Sequence, residues 1–124
     1  MNAANASFSR FAFVGVSVVT TTVPTAEDAE RLAQGAVQAQ LAACAQVEAI
    51  QSHYRWEGPV QASPEWRLVM KTIPDAVQLL VEWLRSQHPY ELPQILMRGE
   101  QAQRDYGKWV AQNVKVPKTE GVRS

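Results

Sequence analysis

The stretch FAFVGVSVVTTT, from Phe11 to Thr22, constrains the fold of this chain more than any other. β-Branched and aromatic residues dominate it, which suits a pleated sheet. A strand with one face in water alternates apolar with polar, because successive side chains point to opposite faces. This one does not alternate. Phe11, Phe13 and Val19 share one parity, while Val14, Val16 and Val18 occupy the other. Each such side chain left in water forgoes roughly 1.5–3 kcal/mol of burial, so both faces of the strand need cover. At 124 residues the chain is one domain with little room for a second core. The cover is therefore expected from other copies of the chain.

The rest of the chain supplies the partners of that strand. Pro24 ends it, and Thr25 with Asp28 resembles a capping box in which Asp replaces the usual Glu. Glu27 and Asp28 suit a helix N-terminus, and Ala29, Leu32, Ala33, Ala36, Val37 and Leu41 recur at helical spacing. Gly35 weakens that helix slightly but permits close backbone approach. After Cys44, AQVEAIQSHYRW reads as a long strand whose imperfect alternation leaves room for a bulge. Glu57-Gly58-Pro59 marks a turn, and Trp66 to Ile73 reads as the returning strand of a hairpin. Pro74 and Asp75 open a second helix, which His88-Pro89 ends because a residue before proline is pushed out of the α region. Gln94 to Met97 reads as a short last strand, entered through Pro93. A final helix carries Tyr106, Trp109, Val110 and Val114 at helical intervals. The order is βαββαβ plus a terminal helix. It predicts an α+β fold, a ferredoxin-like antiparallel sheet with helices on one face plus a C-terminal helix. Residues 1–10 read as a disordered segment, 11–114 as the single domain and 115–124 as a flexible tail.

Composition narrows the function. Twelve basic residues balance twelve acidic ones, which is not the electrostatic footprint of a nucleic-acid or membrane-surface binder. Cys44 is the only cysteine, so no internal disulfide or multi-thiolate zinc site can form. Arg10 before the apolar run loosely resembles a signal peptide, but the run ends in Thr20, Thr21 and Thr22 with no small-residue cleavage site. No segment is long enough to span a membrane. The expected compartment is the reducing cytoplasm. No nucleophile with a base and an orienting acid is visible, nor a glycine-rich phosphate loop, so no enzyme is expected.

Several short pieces carry a family resemblance. PTAEDAERLAQGAVQAQLAACAQV, HYRWEGPV, LVMKT, HPYELPQIL and DYGKWV, in that order, resemble the CutA divalent-cation tolerance proteins over about Phe13 to Val114. The resemblance implies a ferredoxin-like domain in a tight homotrimer with a PII-like architecture. It also implies a part in tolerance of copper and other divalent cations, with no catalytic reaction. The alternative it leaves open is a PII-like sensor of small effectors bound between subunits, with no direct metal role.

The candidate sites follow. His88 is the leading metal-ligand candidate, since neutral imidazole suits copper and zinc, and it matches a histidine of the HPYE motif associated with copper in some members. Gln87, however, stands where some members carry a second histidine. Thr21 falls where others have a cysteine at the end of the first strand. The competing reading is that His88 stops the helix and hydrogen-bonds across a subunit contact. A site on His88 alone implies weak Cu(II) binding, stronger than Zn(II), that fades as pH falls through about 6.5. Tyr54, Arg55 and Trp56 at the hairpin end, with Lys71, Glu91 and Tyr106, are the candidates for an inter-subunit pocket taking a small anionic effector. Packing across a neighbour is the plainer role of the hairpin aromatics. Lys71 needs a partner if buried, and Glu91 is the acid expected to pair with it or to line the cleft. Cys44, Met70 and Met97 read as core residues, and His53 as a strand histidine in water or hydrogen-bonded.

Overall fold

The centre of the molecule is strand β1, Phe13–Val23, which pairs antiparallel with β3 on one edge and β4 on the other. The computed structural model describes residues 12–117. The 1–10 segment and all but the first three residues of the 115–124 tail lie outside it. Along the chain β1 is followed by α1 (Ala26–Gln38), β2 (Cys44–Arg55) and β3 (Val60–Thr72). A 3-10 turn at Pro74–Ala76 leads into α2 (Val77–Gln87), then β4 (Ile95–Gln103) and α3 (Arg104–Gln112). The sheet order β2-β3-β1-β4 with every pair antiparallel is the expected ferredoxin-like α+β arrangement.

The two faces of β1 are covered differently. Val19 and Val23 face α1 and α2, packing with Leu32, Ala36, Leu68, Met70, Leu80 and Leu84 in the main core. Side chains of the opposite parity, Val14 and Val16, lie under α3: a Cβ on Gly107 would clash with Val14 Cγ2. Val16 forms a second cluster with Ala43, Ala76, Val110 and Val114. Val18, on the same face, is only 1% exposed and lies in register between Lys71 and Arg98, whose aliphatic stems can shield it. Both faces are thus covered, as the missing alternation requires, but much of the cover comes from the chain's own terminal helix and flanking side chains. The expectation that other copies supply it applies instead to what one protomer leaves bare. Leu96, Met97 and Phe13 at the β4 side, and Trp56 and Val60 at the hairpin tip, are each more than half exposed.

Local expectations hold at the helix ends. Thr25 caps α1 by accepting from the Asp28 amide at 3.0 Å while its hydroxyl donates to the Asp28 carboxylate at 2.9 Å. α2 stops at His88, whose backbone is extended ahead of Pro89. At Gly35 the close approach is by a side chain and not by backbone: ring atoms of Trp83 come within 2.9 Å of where a Cβ would stand. Three strand expectations need correction. β2 and β3 keep one register from Cys44↔Lys71 to Arg55↔Val60, so no bulge forms. β3 begins at Val60, six residues before Trp66, and β4 runs on from Met97 to Gln103. In each case backbone pairing extends through polar residues that carry no hydrophobic signal.

The extension of β3 has a geometric consequence. β1 ends at the pair Val23↔Trp66, so residues 50–55 and 60–65 continue as a two-stranded ribbon beyond the sheet. Pro64 is tolerated there because that part of β3 has a neighbour on one side only. Glu57 and Gly58 take positive φ to close the tip.

Gly107→Ala should lower stability by about 1–3 kcal/mol, since the added methyl meets the branched stem of Val14. Gly15→Ala, with nothing within 4 Å of its Cβ position, serves as the control. Thermal melts followed by circular dichroism should separate the two; equal midpoints would show that α3 can lift off β1 freely.

Candidate functional site

The HPYE turn sits where β1 ends and the ribbon begins. Both ring nitrogens of His88 are engaged. The Thr21 hydroxyl donates to the Gln94 carbonyl at 2.7 Å, so its 2.8 Å contact with Nε2 of His88 requires that nitrogen to carry the proton and donate. Nδ1 accepts from the Tyr90 amide at 3.1 Å. The ring is therefore the neutral Nε2–H tautomer with its one lone pair already taken. Burial holds its pKa below the usual histidine value. The Thr22 carbonyl and the carboxylates of Asp28 and Glu65 pull the other way, and Arg31 adds to the lowering.

The turn continues into Tyr90, whose ring lies 5.5 Å from that of His88. Its hydroxyl donates to Glu65 Oε2 at 2.7 Å, and Ser52 donates to Oε1 of the same carboxylate at 2.6 Å. Burial, then the bond to Glu65 and its charge, push the Tyr90 phenol well above its ordinary pKa. On the other side of the turn, Arg31 joins Asp28 at 3.1 Å and the Gln87 carbonyl at 3.2 Å. Sequence reading singled out His88 but missed Thr21 as its partner, along with Tyr90, Glu65 and Ser52. Only the Tyr of HPYE hinted at a second anchor.

As a ligand set this arrangement is poor. A metal on His88 would have to take the lone pair held by the Tyr90 amide, beside a threonine hydroxyl. Among the described residues no three His, Cys, Asp or Glu side chains group to hold an ion. The residues present do not fit a resident metal.

The pocket candidates divide into two places. Tyr54 bonds Ser63 at 3.2 Å, Arg55 donates to the Gly58 carbonyl and Trp56 is 57% exposed, all at the ribbon tip. Lys71 and Tyr106 lie at the other end of β2, about ten residues away, or roughly 33 Å of strand. Lys71 is opposite Cys44 and donates to Gln46. Tyr106 stacks on Trp109 at 5.6 Å, and burial with the nearby Cys44 thiol raises its pKa. Lys71 has Gln46 as its partner, and among the described residues no hydrogen bond or ion pair joins it to Glu91. One protomer therefore does not assemble the six residues. A groove with a volume near 740 Å³ lies elsewhere, between α1 and β2, with Ala33, Val37, Val47 and Trp66 in its wall. No described helix is long and apolar enough to cross a membrane.

The profile of the CutA1 divalent ion tolerance protein family matches residues 17–113. The chain belongs to this family. The divalent-cation tolerance protein CutA of Thermus thermophilus is 37% identical over 98 residues, covering 77% of this chain and 95% of that one. The chloroplastic CutA of Arabidopsis thaliana is 40% identical over 80 residues, 64% of this chain. The chain spans 44% of that relative's length. In structure, CutA from Synechococcus elongatus superposes with a TM-score of 0.80 at 36% identity, over 84% of this chain and 94% of that one. The matched span of the CutA1 family runs from the middle of β1 to the end of α3, and so contains the whole HPYE network.

The His88 geometry generates a pH dependence. The unfolded chain's histidine takes a proton near pH 6.5, while the folded ring resists it. Stability present above that value is therefore lost as pH falls through 6.5 toward the lowered folded value. Melting points of the wild type should drop between pH 7 and 5, and His88→Asn should flatten that slope. An unchanged slope would mean that the ring titrates alike folded and unfolded.

Proposed function

We propose that this CutA1 family protein serves divalent-cation tolerance as a cytoplasmic homotrimer without catalytic chemistry. The observation that supports this best is the distribution of bare apolar surface on one protomer. Leu96 and Met97 lie on β4, an edge strand, and Trp56 and Val60 at the tip of a ribbon that overhangs the sheet. An exposed edge with apolar side chains is a template for pairing with another chain. A ribbon of two strands is marginal alone and gains by lying on a neighbour. Divalent cations then meet the trimer weakly, at exposed imidazole and carboxylate donors, with Cu(II) favoured by the general affinity order.

A second reading rests on Lys71. Its ammonium lies on the face under α3, with Gln46 as partner and with Tyr106 next to Cys44 nearby. A cation set among aromatic and polar groups can recognise a small anion. Another copy's ribbon tip, bringing Tyr54, Arg55 and Trp56, would close such a pocket between subunits.

Light scattering after size exclusion should give three times the chain mass without added metal; a well-folded monomer on dilution would sink the trimer. Calorimetry against Cu(II), Zn(II) and a panel of anionic metabolites should show weak copper binding that exceeds zinc. Metabolite binding indifferent to metal, and lost in Lys71→Ala, would establish the effector reading instead.

A further inference from the structure

The HPYE turn, which lies outside the sheet, ties the end of β1 to the part of the ribbon that has no β1 pair. Reading from the centre outward, Thr21 of β1 holds Gln94 and His88, and His88 holds the amide of Tyr90. Tyr90 holds Glu65, and Glu65 holds Ser52. Glu65 is the first residue of β3 beyond the last β1 pair, and Ser52 lies diagonally across on β2, two residues past Ile50, the register partner of Glu65, both within the ribbon. The ribbon loses its β1 neighbour at this point, and the Tyr90 phenol takes that neighbour's place. The carboxylate receives a hydroxyl on each oxygen, an arrangement stronger than a bond between neutral groups. Every polar group in the chain of contacts has a partner, and the one lone pair of the imidazole is taken by the Tyr90 amide.

We propose that the His88-Pro89-Tyr90 turn is a brace that fixes the pose of the ribbon 50–65 and that it is not the metal contact of this protein. Pro89 holds His88 extended, so the imidazole turns back to β1 while the next residue reaches forward to Glu65. Thr21 suits this role. A hydroxyl at 21 can donate to Gln94 and accept from His88 at once, which a thiolate could not do. The consequence for assembly rests on the trimer reading: a ribbon held in one pose loses less entropy when it docks on a neighbour.

Hydrogen exchange read by mass spectrometry on the full chain tests the brace directly. In Tyr90→Phe, which removes one hydroxyl, peptides covering 50–65 should exchange about tenfold faster, the cost of a hydrogen bond to a charged group. Peptides from α1 and α2 should not change. Glu65→Gln keeps one acceptor oxygen but loses the charge and should fall between wild type and Tyr90→Phe, while Glu65→Ala should match Tyr90→Phe. Equal ribbon exchange in wild type and Tyr90→Phe would overturn the brace. In parallel, Cu(II) titrations of wild type and His88→Ala should give the same affinity, and a loss of tenfold or more would restore His88 as the ligand. Light scattering of the wild type reports the trimer separately, so its failure would leave the exchange result standing.

Discussion

Everything in this fold is hung on β1. It is hydrogen-bonded along both edges and covered on both faces, and it is short of partners only at its two ends. At the Phe13 end α3 folds back over Val14 and Val16, with Gly107 letting the helix backbone come down onto the valine side chains. At the Val23 end the sheet narrows to two strands, and the chain fills the gap with the turn after α2. The two ends thus solve the same problem by different means, one apolar and one polar. Apolar contact suits the first because α3 can bury a whole stripe. The second end is a narrow gap beside a proline-bearing strand, where aimed hydrogen bonds do more than area.

That division explains why the HPYE turn is polar yet satisfied. A buried or half-buried donor without a partner costs about 1–3 kcal/mol, so a motif with a histidine, a tyrosine and a glutamate contact persists only if each group is used. The described residues contain no buried side-chain nitrogen or oxygen without a hydrogen-bond partner. Among the described residues no three His, Cys, Asp or Glu side chains come together as a ligand cage, at this turn or elsewhere.

The same constraint separates the two ends of the hairpin. Because β2 and β3 hold one register over their whole length, Trp56 cannot approach Lys71 within a chain. A pocket containing both needs two chains. The candidate residues grouped by chemistry in the sequence are placed by the sheet at opposite ends of a rigid ribbon, and chemistry alone gives no sense of that distance.

The order of elements, the cap at Thr25, the stop at His88-Pro89 and the two-sided burial of β1 were legible in the sequence. Each follows from local rules: periodicity, capping oxygens and the restriction before proline. The resemblance carried by LAAC, YRWEG and HPYE identified the family. Strand lengths were not legible, since β4 and the start of β3 are held by backbone bonds through polar residues with no hydrophobic signature. Nor was the partner of His88. A histidine before a proline reads as ligand or as helix stop, and what bears on the choice is Thr21, 67 residues away, whose single proton goes to Gln94. The sequence by itself determined which segments pair and which faces must be buried, because those depend on the pattern of neighbouring side chains. Only the tertiary structure decided which lone pairs remain free, because that depends on where distant donors meet.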